Sequence, residues 1–151
     1  MKVIEIQTVC VGELPNVLWV QVHTDQGLIG LGETFFGADA VEAHIHEFIA
    51  PYLIGKNPLE IEKHSKRMTG YAGRGGSGAE MRGSSAVDIA LWDIFGQSAN
   101  QPIYQMLGGA SRDKVRVYNT CAGYKYVSKA AAQVTANFGL DNKKNIGPYE
   151  D

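Results

Sequence analysis

Residues 84–96 read Ser-Ser-Ala-Val-Asp-Ile-Ala-Leu-Trp-Asp-Ile-Phe-Gly, and no other stretch constrains the fold as strongly. The stretch begins with small residues and continues with apolar residues at the spacing of one helix face. The predicted buried face consists of Ala86, Val87, Ala90, Leu91, Ile94 and Phe95. A helix with so broad an apolar face is stable only when that face packs against another element.

Small residues at the start of this helix, from Gly83 to Ala86, allow its first turns to approach a neighbour closely. After the helix, residues 101–109 read Gln-Pro-Ile-Tyr-Gln-Met-Leu-Gly-Gly. Proline is favoured at the start of a helical turn and glycine at its end. We therefore expect a short turn here that closes on the glycine pair.

Three segments upstream of the helix have the character of β-strands, with alternating or β-branched residues. They are residues 3–11, 17–24 and 28–35. The intervening Asp25-Gln26-Gly27 predicts a tight turn, because glycine takes positive φ without strain. The sequence therefore predicts a three-stranded antiparallel meander.

From Ala38 onward the apolar residues recur at helical spacing. The positions on this predicted helix are Val41, Ile45, Phe48, Ile49 and Tyr52. Gly55 is a suitable residue to end it. Asn57-Pro58 is a capping residue followed by proline, and predicts a second helix that runs to about Met68. Strands followed by helices are typical of the α+β class, here a meander followed by a helical bundle.

Residues 114–121 resemble one more strand, and residues 122–151 contain no comparably regular pattern. A lone strand must pair with the edge of the meander or with another chain. A long tail without regular structure is unusual in a compact domain. We therefore expect residues 1–112 to form one domain and residues 113–151 to begin another.

The chain of 151 residues has a formal net charge of −2, and its acidic and basic residues are interspersed. No basic stripe is present to neutralise phosphates, which argues against nucleic acid as a partner. No apolar run approaches the roughly 20 residues that span a bilayer, and the N-terminus does not resemble a signal peptide. We expect a cytoplasmic protein with no membrane partner.

The two cysteines, Cys10 and Cys121, have no metal-binding spacing. We expect both thiols to be reduced and structural, with Cys10 buried in the first strand as a small apolar residue. They indicate no function.

Three segments resemble the enolase superfamily, in its mandelate racemase/muconate-lactonizing branch. The first is the hairpin of residues 20–33, with Thr-Asp-Gln-Gly between its strands and Gly-Leu-Gly-Glu at its end. The second is the helix and glycine pair of residues 84–109. The third is Val-Arg-Val-Tyr-Asn-Thr at 115–120, which is similar to the first strand of the family's barrel. The resemblance extends from residue 1 to about 124.

This resemblance implies that residues 1–112 form an enolase-type N-terminal capping domain. Residues 113–151 would then be the first strand and following loop of a (β/α)8 barrel. Barrels of this kind carry their catalytic groups at the C-terminal ends of the strands. The family's metal-binding carboxylates come from the third, fourth and fifth barrel strands. The resemblance therefore assigns no catalytic residue and no metal ligand to this chain.

The chemistry implied by the resemblance is abstraction of a proton α to a carboxylate. A Lys or His base takes the proton, and Mg²⁺ stabilises the enediolate. We expect the complete enzyme to bind Mg²⁺, to form a homo-oligomer and to dehydrate a sugar acid. We also expect the 151-residue chain to be inactive without its barrel. The alternatives are a racemase, epimerase or cycloisomerase of the same superfamily, and a non-catalytic binding or assembly module.

In this family two cap loops close over the mouth of the barrel and help to select the substrate. The matching segments here are residues 13–17 and the glycine-rich residues 71–78. The predicted substrate-binding residues, which include the end of the presumptive barrel strand, are Asn16, Tyr71, Arg74, Asn119 and Thr120. Arg74 can bind a carboxylate through two parallel hydrogen bonds.

Other interpretations of these features stay open. The glycine-rich segment could cradle a phosphate or contact a partner, although it does not match the phosphate-loop pattern. His44 and His46 are two residues apart, so on a helix they face different directions and do not share a metal. Asp93 is expected to accept a hydrogen bond from a backbone or arginine donor.

Overall fold

The computed structural model describes residues 1–69 and 78–117. The described chain begins with strands β1 (Val3–Val9), β2 (Val17–Thr24) and β3 (Ile29–Phe35). They form an antiparallel sheet in the order β1-β2-β3, which confirms the predicted meander. Gly27 has a φ of 78° in the turn between β2 and β3, as predicted.

The helices follow the strands, and this order confirms the α+β class. They are α1 (Ala38–His44), a π-helical turn (Ile45–Ile49), α2 (Ala50–Leu53), α3 (Ile61–Thr69), α4 (Ala79–Ala99) and α5 (Ile103–Met106). Gly55 has a φ of 82° and follows the end of α2, so its predicted role as a helix stop is confirmed. None of the helices among the described residues is long and apolar enough to cross a membrane.

The π-helical turn explains which residues of the first helical segment are buried. Four buried residues recur at a spacing of four: Val41, Ile45, Ile49 and Leu53. A regular α-helix has about 3.6 residues per turn, so this spacing drifts around its surface. The wider turn, in which Ala50 N–H bonds to Ile45 O, keeps these residues on one side. Phe48, predicted on the same face, is instead 66% exposed.

The predicted start of the second helix at Asn57-Pro58 was wrong, because α3 begins at Ile61. Asn57 closes a turn ahead of the helix: its Oδ1 accepts from Leu59 N–H at 3.2 Å, and its carbonyl accepts from Glu60 N–H at 3.2 Å. His64, which is fully buried, lies with its Nε2 2.8 Å from the same carbonyl. These bonds hold residues 57–60 outside the helix.

His64 has a defined tautomer in this arrangement. The Asn57 carbonyl can only accept, so His64 Nε2 carries the proton. In the neutral ring Nδ1 then accepts from the hydroxyl of Tyr52, at 2.9 Å. This buried histidine links α2, the following turn and α3, and all of its polar atoms are paired.

Helix α4 packs directly on β3, and two glycines of the strand make this possible. A Cβ atom at Gly30 would overlap the carbonyl oxygen of Ala90, and one at Gly32 would overlap that of Ala86. The buried members of the predicted face are Ala86, Val87, Ala90, Leu91 and Ile94. Phe95 is only half-buried, and its ring packs edge-on against Trp92 at 5.8 Å. We call the contact of β3 with α4 the α4–β3 interface.

The outer edge of β3 is covered by two polar side chains of α4. Leu31 N–H donates to Asp93 Oδ2 at 2.8 Å, which confirms the predicted backbone donor. Gln97 Nε2 donates to Ile29 O at 2.8 Å and to Asp93 Oδ2 at 2.9 Å. An edge strand otherwise presents unpaired backbone groups to other chains, so this pairing protects it.

Residues 102–117, here called the C-terminal segment, pack loosely against this core. Helix α5 has no buried residue. Tyr104, Leu107, Val115 and Val117 are 57%, 67%, 71% and 83% exposed. Residues 114–117 form no strand, because they do not join the sheet; the rest of the strand predicted at 114–121 lies outside the described residues.

Candidate functional site

The structure describes one of the five predicted substrate-binding residues. Asn16 is the last residue of the β1–β2 connection (residues 10–16) and is 1% exposed. The other four, Tyr71, Arg74, Asn119 and Thr120, lie outside the described residues. Substrate binding by all five stays a prediction. The described geometry therefore concerns what surrounds Asn16.

Asn16 is held by the corner between β3 and α1 (residues 35–37). Its carbonyl accepts a hydrogen bond from Phe36 N–H at 2.6 Å. Phe36 and Gly37 have φ angles of 81° and 73°, so two successive residues adopt the left-handed region. For a residue with a Cβ this conformation costs about 1–2 kcal/mol, whereas glycine adopts it freely. Other interactions must offset this cost at Phe36.

Arg82 supplies two of these interactions from the first turn of α4. Its Nη1 donates to the carbonyl oxygen of Phe35. Its guanidinium also lies over the ring of Phe36, 5.6 Å from the ring centroid. A cation over an aromatic ring stabilises by about 0.5–1 kcal/mol or more, depending on burial. The corner is therefore restrained by Asn16 of the β1–β2 connection and by Arg82 of α4.

A second polar cluster joins β1 to the first helical segment. Thr8 Oγ1 donates to Glu42 Oε1 at 2.6 Å and lies 2.8 Å from His46 Nε2. Because the hydroxyl proton goes to Glu42, His46 Nε2 is the donor in the second bond. His44 instead stacks on Phe48, with ring centroids 5.3 Å apart. The two histidines therefore contact different neighbours.

Cys10 lies next to this cluster, and its predicted burial in β1 was wrong. The strand ends at Val9, so Cys10 falls in the β1–β2 connection, where it is exposed. Desolvation raises the pKa of its thiol, and the negative charges of Glu42 and Asp39 raise it further. A raised pKa leaves less thiolate at neutral pH, which disfavours a role as a nucleophile.

Asp88 of α4 has a carboxyl group whose pKa is raised by its surroundings. Partial burial raises its pKa, and hydrogen bonds from Ser65 and Trp92 oppose that rise. The negative charge of Glu62 raises the pKa slightly more. Asp88 thus faces α3 in a half-buried position.

The sequence did not reveal Phe36 and Arg82 as a pair. No residue-level rule assigns a left-handed conformation to phenylalanine, and the glycine after it explains only one of the two positive φ angles. Arg82 did carry one signal, since it is a charged residue directly before the small residues 83–86.

Comparison with known proteins identifies the fold to which this arrangement belongs. Residues 3–108 match the model of the mandelate racemase/muconate lactonizing enzyme N-terminal domain. The chain belongs to this family. A solved structure supports the assignment: an enolase of the mandelate racemase subgroup from Agrobacterium tumefaciens, with a TM-score of 0.76 and 58% identity. The match covers 81% of this chain and 33% of that chain.

Two curated relatives have named activities. The D-galactonate dehydratase of Verminephrobacter eiseniae is 38% identical over 125 residues, which are 82% of this chain and 32% of the relative. The D-xylonate dehydratase of Haloferax volcanii is 38% identical over 120 residues, or 78% of this chain and 28% of the relative. The mandelate racemase-type capping fold is therefore confirmed. The chain spans less than a third of the length of these two relatives.

Proposed function

We propose that this chain is the substrate-selecting cap of a sugar-acid dehydratase. The observation that carries the proposal is the 38% identity, over 125 residues, to a D-galactonate dehydratase. In such a reaction a base removes the proton α to the carboxylate, and the hydroxyl on the next carbon leaves as water. The product is a 2-keto-3-deoxy acid, formed after the enol rearranges to the ketone.

The division of the chain is part of the same proposal. Residues 1–112 would be the cap, and residues 113–151 the first strand and following loop of the barrel. The exposed apolar side chains after residue 112 support this division, since Val115 and Val117 are 71% and 83% exposed. Apolar surface of this kind is typical of a region that another part of a protein covers.

Mg²⁺ enters the proposal through the family, and the described residues do not fit it. Within residues 1–69 and 78–117, no three His, Cys, Asp or Glu side chains cluster closely enough to hold a metal ion. Glu42 and His46 both contact the hydroxyl of Thr8. Our assignment of the Mg²⁺ ligands, and of the step it assists, to the barrel of the complete enzyme rests on the family resemblance.

The cap would contribute polar contacts to a hydroxylated acid. We propose this role for Asn16, Tyr71, Arg74, Asn119 and Thr120. Arginine binds a carboxylate in a bidentate manner, and amide and hydroxyl groups suit the hydroxyls of a sugar acid. Loops that close over a site also exclude water from it.

A direct test is to replace the cap of the Verminephrobacter D-galactonate dehydratase with residues 3–108 of this chain. We expect the chimera to form 2-keto-3-deoxy products from at least one sugar acid in a panel that includes D-galactonate and D-xylonate. The matched control is a chimera that carries the Haloferax cap. If the control dehydrates sugar acids while the new chimera, correctly folded, dehydrates none of them, the proposal is wrong.

A second test addresses the chain alone. We expect the pure 151-residue chain with Mg²⁺ to produce no 2-keto-3-deoxy acid from the same panel. Reproducible turnover that copurifies with the chain would contradict the assignment of the catalytic groups to the barrel.

A further inference from the structure

We propose that Arg82 is a positioning residue, which holds the β1–β2 connection in place through the corner at Phe36. Its importance for substrate selection rests on the proposed function, which assigns this connection to the substrate. The restraint itself is argued from the contacts of the described residues.

The first step is the backbone of Phe36. A phenylalanine with a φ of 81° is strained, and such residues persist only when their surroundings hold them. Glycine would remove the strain and already occupies the next position, Gly37. We infer that phenylalanine is kept here because contacts of its ring offset the strain.

The second step is the contact that uses this ring. Arg82 lies over it at 5.6 Å and donates a hydrogen bond to the carbonyl of the preceding residue, Phe35. One side chain therefore contacts both the carbonyl that precedes the strained residue and the ring of that residue. Arg82 is placed to do so by α4, whose own position is determined by its close packing on β3.

The third step links the corner to the β1–β2 connection. Phe36 N–H bonds to Asn16 O at 2.6 Å, and Val17 pairs with Phe35 in the sheet. Two further bonds of this region, from Leu14 N–H to Val11 O and from Val17 N–H to Leu14 O, join residues that are only three positions apart. The bond from Phe36 is thus a cross-link that ties the end of the connection to the rest of the cap.

The experiment is amide hydrogen exchange on the 151-residue chain, read by NMR for individual residues. In R82M we expect the Phe36 amide to exchange about tenfold faster or more, because its bond to Asn16 opens more often. The Val20 and Leu91 amides, which lie in the core, should exchange as in the wild type. R82K keeps a positive donor and should restore part of the protection.

The matched control is R67M, because Arg67 also lies over an aromatic ring, that of Tyr52 at 5.9 Å. It should leave the Phe36 amide unchanged. A second variant, F36L, keeps apolar bulk but removes the aromatic face, and should raise exchange at Phe36 by about threefold. F36L keeps the test decisive even when R82M fails to fold.

Unchanged exchange at Phe36 in folded R82M, or in F36L, would overturn the assignment. An equal increase at core amides in R82M would also overturn it, since Arg82 would then only raise global stability. The assignment would also be overturned if R67M raised the exchange rate of the Phe36 amide. It would be overturned as well if that rate were the same in R82K as in R82M. These rates are measured without substrate, so they are independent of the chimera assay that tests the proposed function.

Discussion

Helix α4 and the C-terminal segment follow each other in the chain, but the α4–β3 interface and that segment differ in how deeply their apolar side chains are buried. In the interface, glycines bring two backbones into contact, and Leu91 and Ile94 are fully buried. In the C-terminal segment, Leu107 and Val117 are 67% and 83% exposed. The first region is complete in itself, whereas the second carries apolar side chains with little to pack against. Matched substitutions in the two regions therefore measure how much each region contributes to the free energy of unfolding of the cap.

The largest effect is expected from Gly32→Ala. The added Cβ would overlap the carbonyl oxygen of Ala86, so α4 must move away from the strand. We expect loss of folding, or about 4 kcal/mol less stability in urea denaturation. The control is Gly12→Ala, where no atom lies within 4 Å of the new Cβ. A stable G32A chain would show that the contact of the two backbones is not required.

Leu91→Ala and Leu107→Ala form the next pair. Leu91 is fully buried, so its truncation leaves a cavity and should lower the free energy of unfolding by about 3 kcal/mol. The same change at Leu107, which is 67% exposed, should alter it by less than about 0.5 kcal/mol. Equal losses in urea denaturation would mean that the C-terminal segment is part of the core.

Asp93→Ala removes the acceptor that covers the edge of β3. The Leu31 N–H then has no carboxylate partner, and we expect a loss of about 2 kcal/mol by thermal or urea denaturation. Asp113→Ala, at an exposed position of the C-terminal segment, is the control and should have little effect. If both variants are as stable as the wild type, water replaces Asp93 at the strand edge without loss.

The smallest expected effect is a change in pH dependence from Asp88→Asn. The raised pKa means that the folded chain binds this proton more tightly than the unfolded chain. Stability therefore falls as pH rises through the range between the ordinary carboxyl pKa and the raised one. The variant should be at least as stable as the wild type at about pH 7, and lose this advantage at about pH 3.

The control for this prediction is Asp113→Asn, which should leave the pH profile of the urea midpoint unchanged. A wild-type profile that rises across the same acidic range, and that D88N abolishes, would contradict the direction of the shift at Asp88.

Periodic features of the fold were predictable from the sequence. Alternation identified β2 at residues 17–24, and the apolar face of α4 was correct for Leu91 and Ile94. The start of α3 was wrong because Asn57 bonds to His64, a contact that no local pattern reveals. For the candidate site, the sequence pointed to Asn16 but not to Phe36 or Arg82. The role of Asn16 itself stays a prediction.

The sequence by itself determined the meander, the order of strands before helices and the family, because strand alternation, helical spacing and turn glycines act over a few neighbouring residues. The tertiary structure alone decided the burial of Asn16, the exposure of Phe48 and the conformation of Phe36. Arg82 and Phe35, for example, are 47 residues apart and meet only after α4 has packed on β3. Such contacts depend on where whole elements lie, and this information is not contained in any local pattern of residues.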